Sequence, residues 1–145
     1  MDAGGISVAR ALPIDAALAG DVLIRLRRDT AGSVARWTLG RRGVAELDVD
    51  FLPILDADGA TSPAWTSTGR LWDPDGIALM HVVIELRAET VDGCELTLRP
   101  AAELTPWWSA RLPELLELAH ATLDELSEEL LWHATRGDIA THSDL

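Results

Sequence analysis

Residues 78–89, Ala-Leu-Met-His-Val-Val-Ile-Glu-Leu-Arg-Ala-Glu, carry a period-two pattern. Ala78, Met80, Val82, Ile84, Leu86 and Ala88 fall on one side. Leu79, His81, Val83, Glu85, Arg87 and Glu89 fall on the other. Successive side chains of a strand point to opposite faces, so this spacing predicts a strand with one dry face. A half-dry strand belongs to an antiparallel sheet and obliges the chain to supply a cover for that face.

The neighbouring segments repeat the signal. In Val44–Leu55, Ala45, Leu47, Val49 and Phe51 alternate with Glu46, Asp48 and Asp50; in 94–99, Cys94, Leu96 and Leu98 share a face. Residues 64–72 are more mixed, with Trp65, Ser67, Gly69 and Leu71 opposite Thr66, Thr68, Arg70 and Trp72, and Gly69 reads as a bulge or bend. Asp-Gly pairs at 58–59, 75–76 and 92–93 recur every 17 residues. Both residue types tolerate the positive φ of tight turns, so the three pairs predict the turns of a meander. Segments 5–13 and 33–39 read as further strands, the second closed by the Arg41-Arg42-Gly43 turn. Residues 14–28 read as a short helix capped by Asp15, with a strand over 22–26 as the alternative.

The cover is at the C-terminus. Thr105 suits an N-cap, Pro106 the first helical position, and Arg136-Gly137 a helix end. Projected at about 100° per residue, Leu112, Leu115, Leu116, Ala119, Leu123, Leu126 and Leu130 form one stripe. Glu114, Glu117, Asp124, Glu125 and Glu128 lie opposite, as a solvated face. Pro113 is expected to kink this helix or to split off its first turn. The expected architecture is α+β: a curved antiparallel β-sheet meander gripping a long C-terminal α-helix (a helix-grip). One domain is expected over residues 1–137, with 138–145 as a flexible tail.

Two tryptophans, Trp107 and Trp108, stand together in Thr105–Pro113. Adjacent helical residues diverge by about 100°, so a single face does not easily bury both rings. Trp108 is expected on the core and Trp107 at a cavity rim, with both buried as core if Pro113 reorients the turn as the alternative. Leu118 and Trp132 project into the acidic face, which suggests a homodimer interface, with the C-terminal tail folded back over Trp132 as the alternative.

The order of elements is recognisable: a first strand ending in Ala-Leu-Pro-Ile-Asp, a short helical segment, a meander, and a long last helix entered through prolines and tryptophan. It resembles the START-like SRPBCC superfamily, and the stretch Trp107–Trp132 resembles the last helix of its polyketide cyclase/dehydrase-like members. The resemblance implies a cavity between sheet and helix that holds an apolar or amphipathic molecule, lipid- or polyketide-like. The side chains expected around it are Phe51, Trp65, Met80, Val82, Ile84, Leu98, Trp107, Trp108, Leu116, Ala119, His120 and Leu123. Arg10, on the inner side of the first strand, would hold an acidic ligand group there, or else pair with an acid of the chain. Residues 15–43 depart from the usual helix pair, the chain has no tyrosine, and no catalytic motif of the family maps onto a particular residue.

Charge and composition narrow the partners. The formal net charge is -12, which disfavours nucleic acid and anionic membranes. The apolar runs are too short to span a bilayer, and the start has no secretory pattern, so membrane insertion and export are not expected. Cys94 is the one cysteine, which excludes an internal disulfide and suits a cytoplasmic protein. It reads as buried core. No nucleophile elbow, phosphate loop or His-Glu-x-x-His motif occurs. His120 and His133 lie about 220° apart on the helix and share no metal; His81 is on the outer strand face. Asp56-x-Asp58-Gly59 lacks the later ligands of a calcium loop. No catalytic residue, metal or cofactor is assigned. If the protein is an enzyme, a cyclase- or aromatase-type activity shaped by the cavity is expected. The rival reading is a non-enzymatic protein-interaction module of the secretion-chaperone or cochaperone type. Spare apolar surface distinguishes them: inside for a ligand, outside for a protein. A fully packed core with no ligand is the third alternative.

Overall fold

The computed structural model describes residues 6–30, 34–54, 63–90 and 92–143, with side chains described up to residue 135, Thr90 aside. The Asp58-Gly59 turn, the Asp56 loop and residues 144–145 lie outside the described residues.

The chain runs β1 (Val8–Leu12), α1 (Ala16–Asp29), β2 (Val34–Thr38), a 3-10 turn (Gly40–Arg42), β3 (Val44–Asp48), β4 (Leu52–Pro53), β5 (Ala64–Trp72), β6 (Leu79–Thr90), β7 (Gly93–Pro100), α2 (Pro106–Ser109) and α3 (Leu112–Ser143). The strands form one antiparallel sheet in the order β1-β7-β6-β5-β3-β2, and β4 pairs with β5 beyond the end of β3. The sheet curls into a half-barrel and α3 packs in it, which is the expected α+β helix-grip.

The alternation sorts the sheet as its spacing predicts. Met80, Val82, Ile84 and Leu86 are buried with Ala45, Leu47, Val49, Cys94, Leu96 and Leu98. The outer face carries ion pairs instead: Glu46 with Arg70 and Arg36, and Glu85 with Arg87 and Arg99. Gly76 turns at φ 72, with Asp73 accepting from its amide at 2.9 Å, so the 75–76 turn stands. At 92–93 the chain is already strand at Gly93, which pairs with Thr90. Gly69 makes no bulge. It pairs in regular register with Leu47, and a Cβ there would come within 2.3 Å of Leu47 Cδ2. The same Cβ would stand 2.9 Å from the Glu46 carbonyl oxygen, so backbone as well as Leu47 closes the space over Gly69.

Residues 16–29 are helix, not strand. Asp15 accepts the Leu18 amide at 2.7 Å, and Ala19, Val22, Leu23 and Leu26 form the buried side. At the other end, Pro113 splits the helix rather than kinking it. The Thr105 hydroxyl accepts from the Trp108 amide at 3.4 Å to cap α2, and α3 begins anew at Leu112 with the proline in its first turn, where a missing N–H costs nothing. Gly137 does not end α3, which continues to Ser143. No helix among the described residues is long and apolar enough to cross a membrane.

The buried side of α3 is wider than its leucine stripe and is shifted around the axis. Leu118, Thr122 and His133 are all buried, whereas Leu112 and Leu116 are over a third exposed. Leu118 therefore corrects the expected dimer face: it is core, 1 % exposed. The cause is that α3 meets β1, β7, α1 and the 3-10 turn together, so its flanks are covered as well as its apolar centre.

Candidate functional site

Six residues expected around a cavity, Met80, Val82, Ile84, Leu98, Ala119 and Leu123, belong to one packed core cluster and are each 5 % exposed or less. Trp108 joins them at 1 %. Its indole N–H donates to the Leu79 carbonyl at 3.3 Å, which pins α2 to the start of β6. None of the three clefts below is lined by any of these seven side chains.

The remaining expected residues separate. Phe51 and Trp65, both half-buried, line a cleft of about 170 Å³ between α1 and the β3–β4 segment. Gly20 faces the Trp65 ring there, and a Cβ at that position would stand 3.5 Å from it, an ordinary contact. Leu116 and His120, both exposed, line a groove of about 680 Å³ between α3 and the 3-10 turn, with Leu39, Arg42 and the acidic residues Glu117, Asp124, Glu125 and Glu128. Arg10 is not inside a cavity. Its guanidinium pairs with Asp124 of α3, both about half exposed, so the pairing alternative holds.

Trp107 lines a third cleft of about 500 Å³, bounded by the 3-10 turn, the 73–77 turn and the start of α3. The two indoles meet edge to face with centroids 4.9 Å apart, so burying Trp108 leaves Trp107 on the outside of the same packing. Arg111 lies over the Trp107 ring at 3.9 Å and donates to the Trp107 carbonyl at 2.9 Å. The ring is held by its neighbour and by this arginine. Ile77, 77 % exposed, lines the same cleft. Asp73 is buried, and its carboxylate is occupied within the turn, accepting the Ile77 and Ala78 amides at 2.7 Å each.

Cys94 and His133 are buried away from these clefts. Cys94 donates to the Ile14 carbonyl at 3.1 Å, and burial, aided by Asp15 and Glu89, pushes its thiol above the usual range, which disfavours the thiolate a nucleophile needs. His133, missed as a core residue by the sequence reading, is 2 % exposed between Asp29 at 3.6 Å and Glu129 at 3.9 Å, and Arg25 donates to its carbonyl at 3.0 Å. It joins α1 to α3. A polar residue on the flank of the stripe gives no sign of this until α1 is placed.

Searches against protein-family models, curated proteins and solved structures return no match.

Proposed function

We propose that this chain is a START-like, SRPBCC-type helix-grip domain of the cytoplasm that binds an apolar or amphipathic small molecule, and that the molecule sits at the mouth of the grip rather than within the sheet. The observation that carries this reading is Trp107: a large ring fixed by Trp108 and Arg111, facing an open cleft of about 500 Å³ beside an exposed isoleucine. Ligand sites commonly occupy roughly 300–1,000 Å³ and combine apolar walls with a few polar groups. The packed core supports the mouth as the place. The reading is one of binding; a cyclase-type activity would need an acid–base pair, and no such pair is assigned.

The test is fluorescence titration with N-phenyl-1-naphthylamine, an uncharged aromatic probe. Wild type should bind it, and Trp107→Ala should weaken binding several-fold with the fold intact by circular dichroism. Absence of binding to the wild type, or equal binding by the variant, overturns the reading.

One observation favours the protein-interaction reading instead. Trp132 is 55 % exposed on the outer side of α3, where it lines a hollow with Glu125, Glu128 and Glu129. With Leu118 buried, a dimer through this face would rest on Trp132. Light scattering of wild type and Trp132→Ala decides it: a wild-type monomer removes the dimer.

A further inference from the structure

The cleft beside Trp107 has a second property that bears on the charge of its ligand. Acidic residues outnumber basic ones 24 to 12 in this chain, and six arginines, at 10, 27, 36, 70, 87 and 99, have a carboxylate within 4.0 Å. Arg41 and Arg42 have none among the described residues, although both line this cleft. Arg111 lines it too, so a quarter of the chain's basic residues border one cleft of a strongly acidic protein.

The arginine pair is held by a built turn. Gly40 has φ 64 and Gly43 φ 133, both in the region that side chains avoid. A Cβ on Gly43 would stand 2.1 Å from the Trp72 carbonyl oxygen, so only glycine lets the turn lie against β5. Leu39 anchors the other end: it is buried, and its amide donates to the Gly43 carbonyl at 2.8 Å. Two arginines adjacent in sequence thus border the cleft from a backbone with little freedom. Such groups match carboxylate, sulfonate or phosphate oxygens with paired N–H donors.

Carboxylates also border the cleft. Asp73 Oδ1 accepts the Ile77 and Ala78 amides of its own turn, and its negative charge stays at the cleft. Asp75, Glu114 and Glu117 are exposed, and none comes within 4.0 Å of Arg41 or Arg42. They leave the arginine donors available, and they oppose an incoming anion.

We infer that the mouth cleft takes an amphipathic anion, its apolar body on Trp107 and Ile77 and its acid group on Arg41 and Arg42. This rests on the mouth-binding reading and adds the charge of the ligand and the residues that select it.

The test compares N-phenyl-1-naphthylamine with 8-anilinonaphthalene-1-sulfonate, which has the same ring skeleton with a sulfonate added. The sulfonate should bind roughly tenfold more tightly, and that gain should shrink in high salt. The double variant Arg41→Gln/Arg42→Gln should abolish the gain and leave the uncharged probe unchanged. Glu114→Gln/Glu117→Gln should tighten the sulfonate alone. If the uncharged probe binds in a Trp107-dependent way but the sulfonate gains nothing, or its gain survives loss of both arginines, the anion inference is overturned and the mouth reading stands. If neither probe depends on Trp107, both fall.

Discussion

The indole N–H of Trp108 donates to the Leu79 carbonyl at 3.3 Å, across the junction between the short α2 and the first residue of β6. Trp108 is also 1 % exposed, so it ties helix to sheet by packing and by a polar bond at once. Trp108→Phe should keep most of the packing and lose the bond, costing about 1 kcal/mol. Trp108→Ala should cost about 3–5 kcal/mol. Trp107→Ala, on the outer side of the pair, should cost under about 1 kcal/mol. Urea denaturation ranks the three; equal midpoints for Trp107→Ala and Trp108→Ala contradict this division of labour.

Leu123 and Leu118 are both at or below 1 % exposure, on the centre and the flank of the α3 contact. Aspartate at either position buries an unpaired charge, a cost of several kcal/mol against a total stability of about 5–15 kcal/mol. Both variants should unfold, whereas Glu125→Ala should cost under about 0.5 kcal/mol. A folded Leu118→Asp would return that residue to the surface.

Gly69→Ala should destabilise by about 1–3 kcal/mol, since the added methyl overlaps Leu47. The same Cβ stands 2.9 Å from the Glu46 carbonyl oxygen, so Leu47→Ala relieves only part of the strain. Gly43→Ala should be worse than Gly69→Ala, because its φ is 133 and the obstructing atom is a backbone oxygen. Thermal melts of the single variants and of Gly69→Ala/Leu47→Ala check the order.

Glu46 sets an acid limit on the outer sheet face. Hydrogen bonds from Arg70 hold its carboxyl below the usual value of 4.5 against the opposing effect of burial, and Arg36 adds to the lowering. A depressed folded pKa means that the pair stabilises the protein above the unfolded value, and that this stability is lost as pH falls through the lowered one. Stability measured in urea from pH 6 down to pH 3 should therefore fall less steeply for Glu46→Gln than for the wild type. Identical slopes would show that the carboxylate contributes nothing.

Much of the fold is legible because its signals are local. Alternation in 78–89, the Asp15 and Thr105 caps, and the proline at 113 each act within a few residues, and each names an element without reference to the rest. The candidate site is less legible. Trp107 as the outer ring follows from the angle between adjacent helical residues, but the packed state of Met80, Ile84, Leu98 and Leu123 does not, because period-two spacing is the same for a wall of a cavity and for solid core. Gly69 was open to a bulge for a similar reason: a missing side chain states that space is short, and only the placement of Leu47 and the Glu46 carbonyl says what fills it.

The sequence by itself determined the main strands of the meander and the presence of a long C-terminal helix, because steric and hydrogen-bonding preferences of the backbone operate over one or two turns, but it left 22–26 open between helix and strand. Tertiary structure alone decided how far around α3 burial extends, that Leu118 and His133 lie inside it, and that Arg41, Arg42 and Trp107 border one cleft. Those outcomes depend on which elements distant in the chain come to lie on each flank of the helix, and a periodic pattern carries no record of its neighbours.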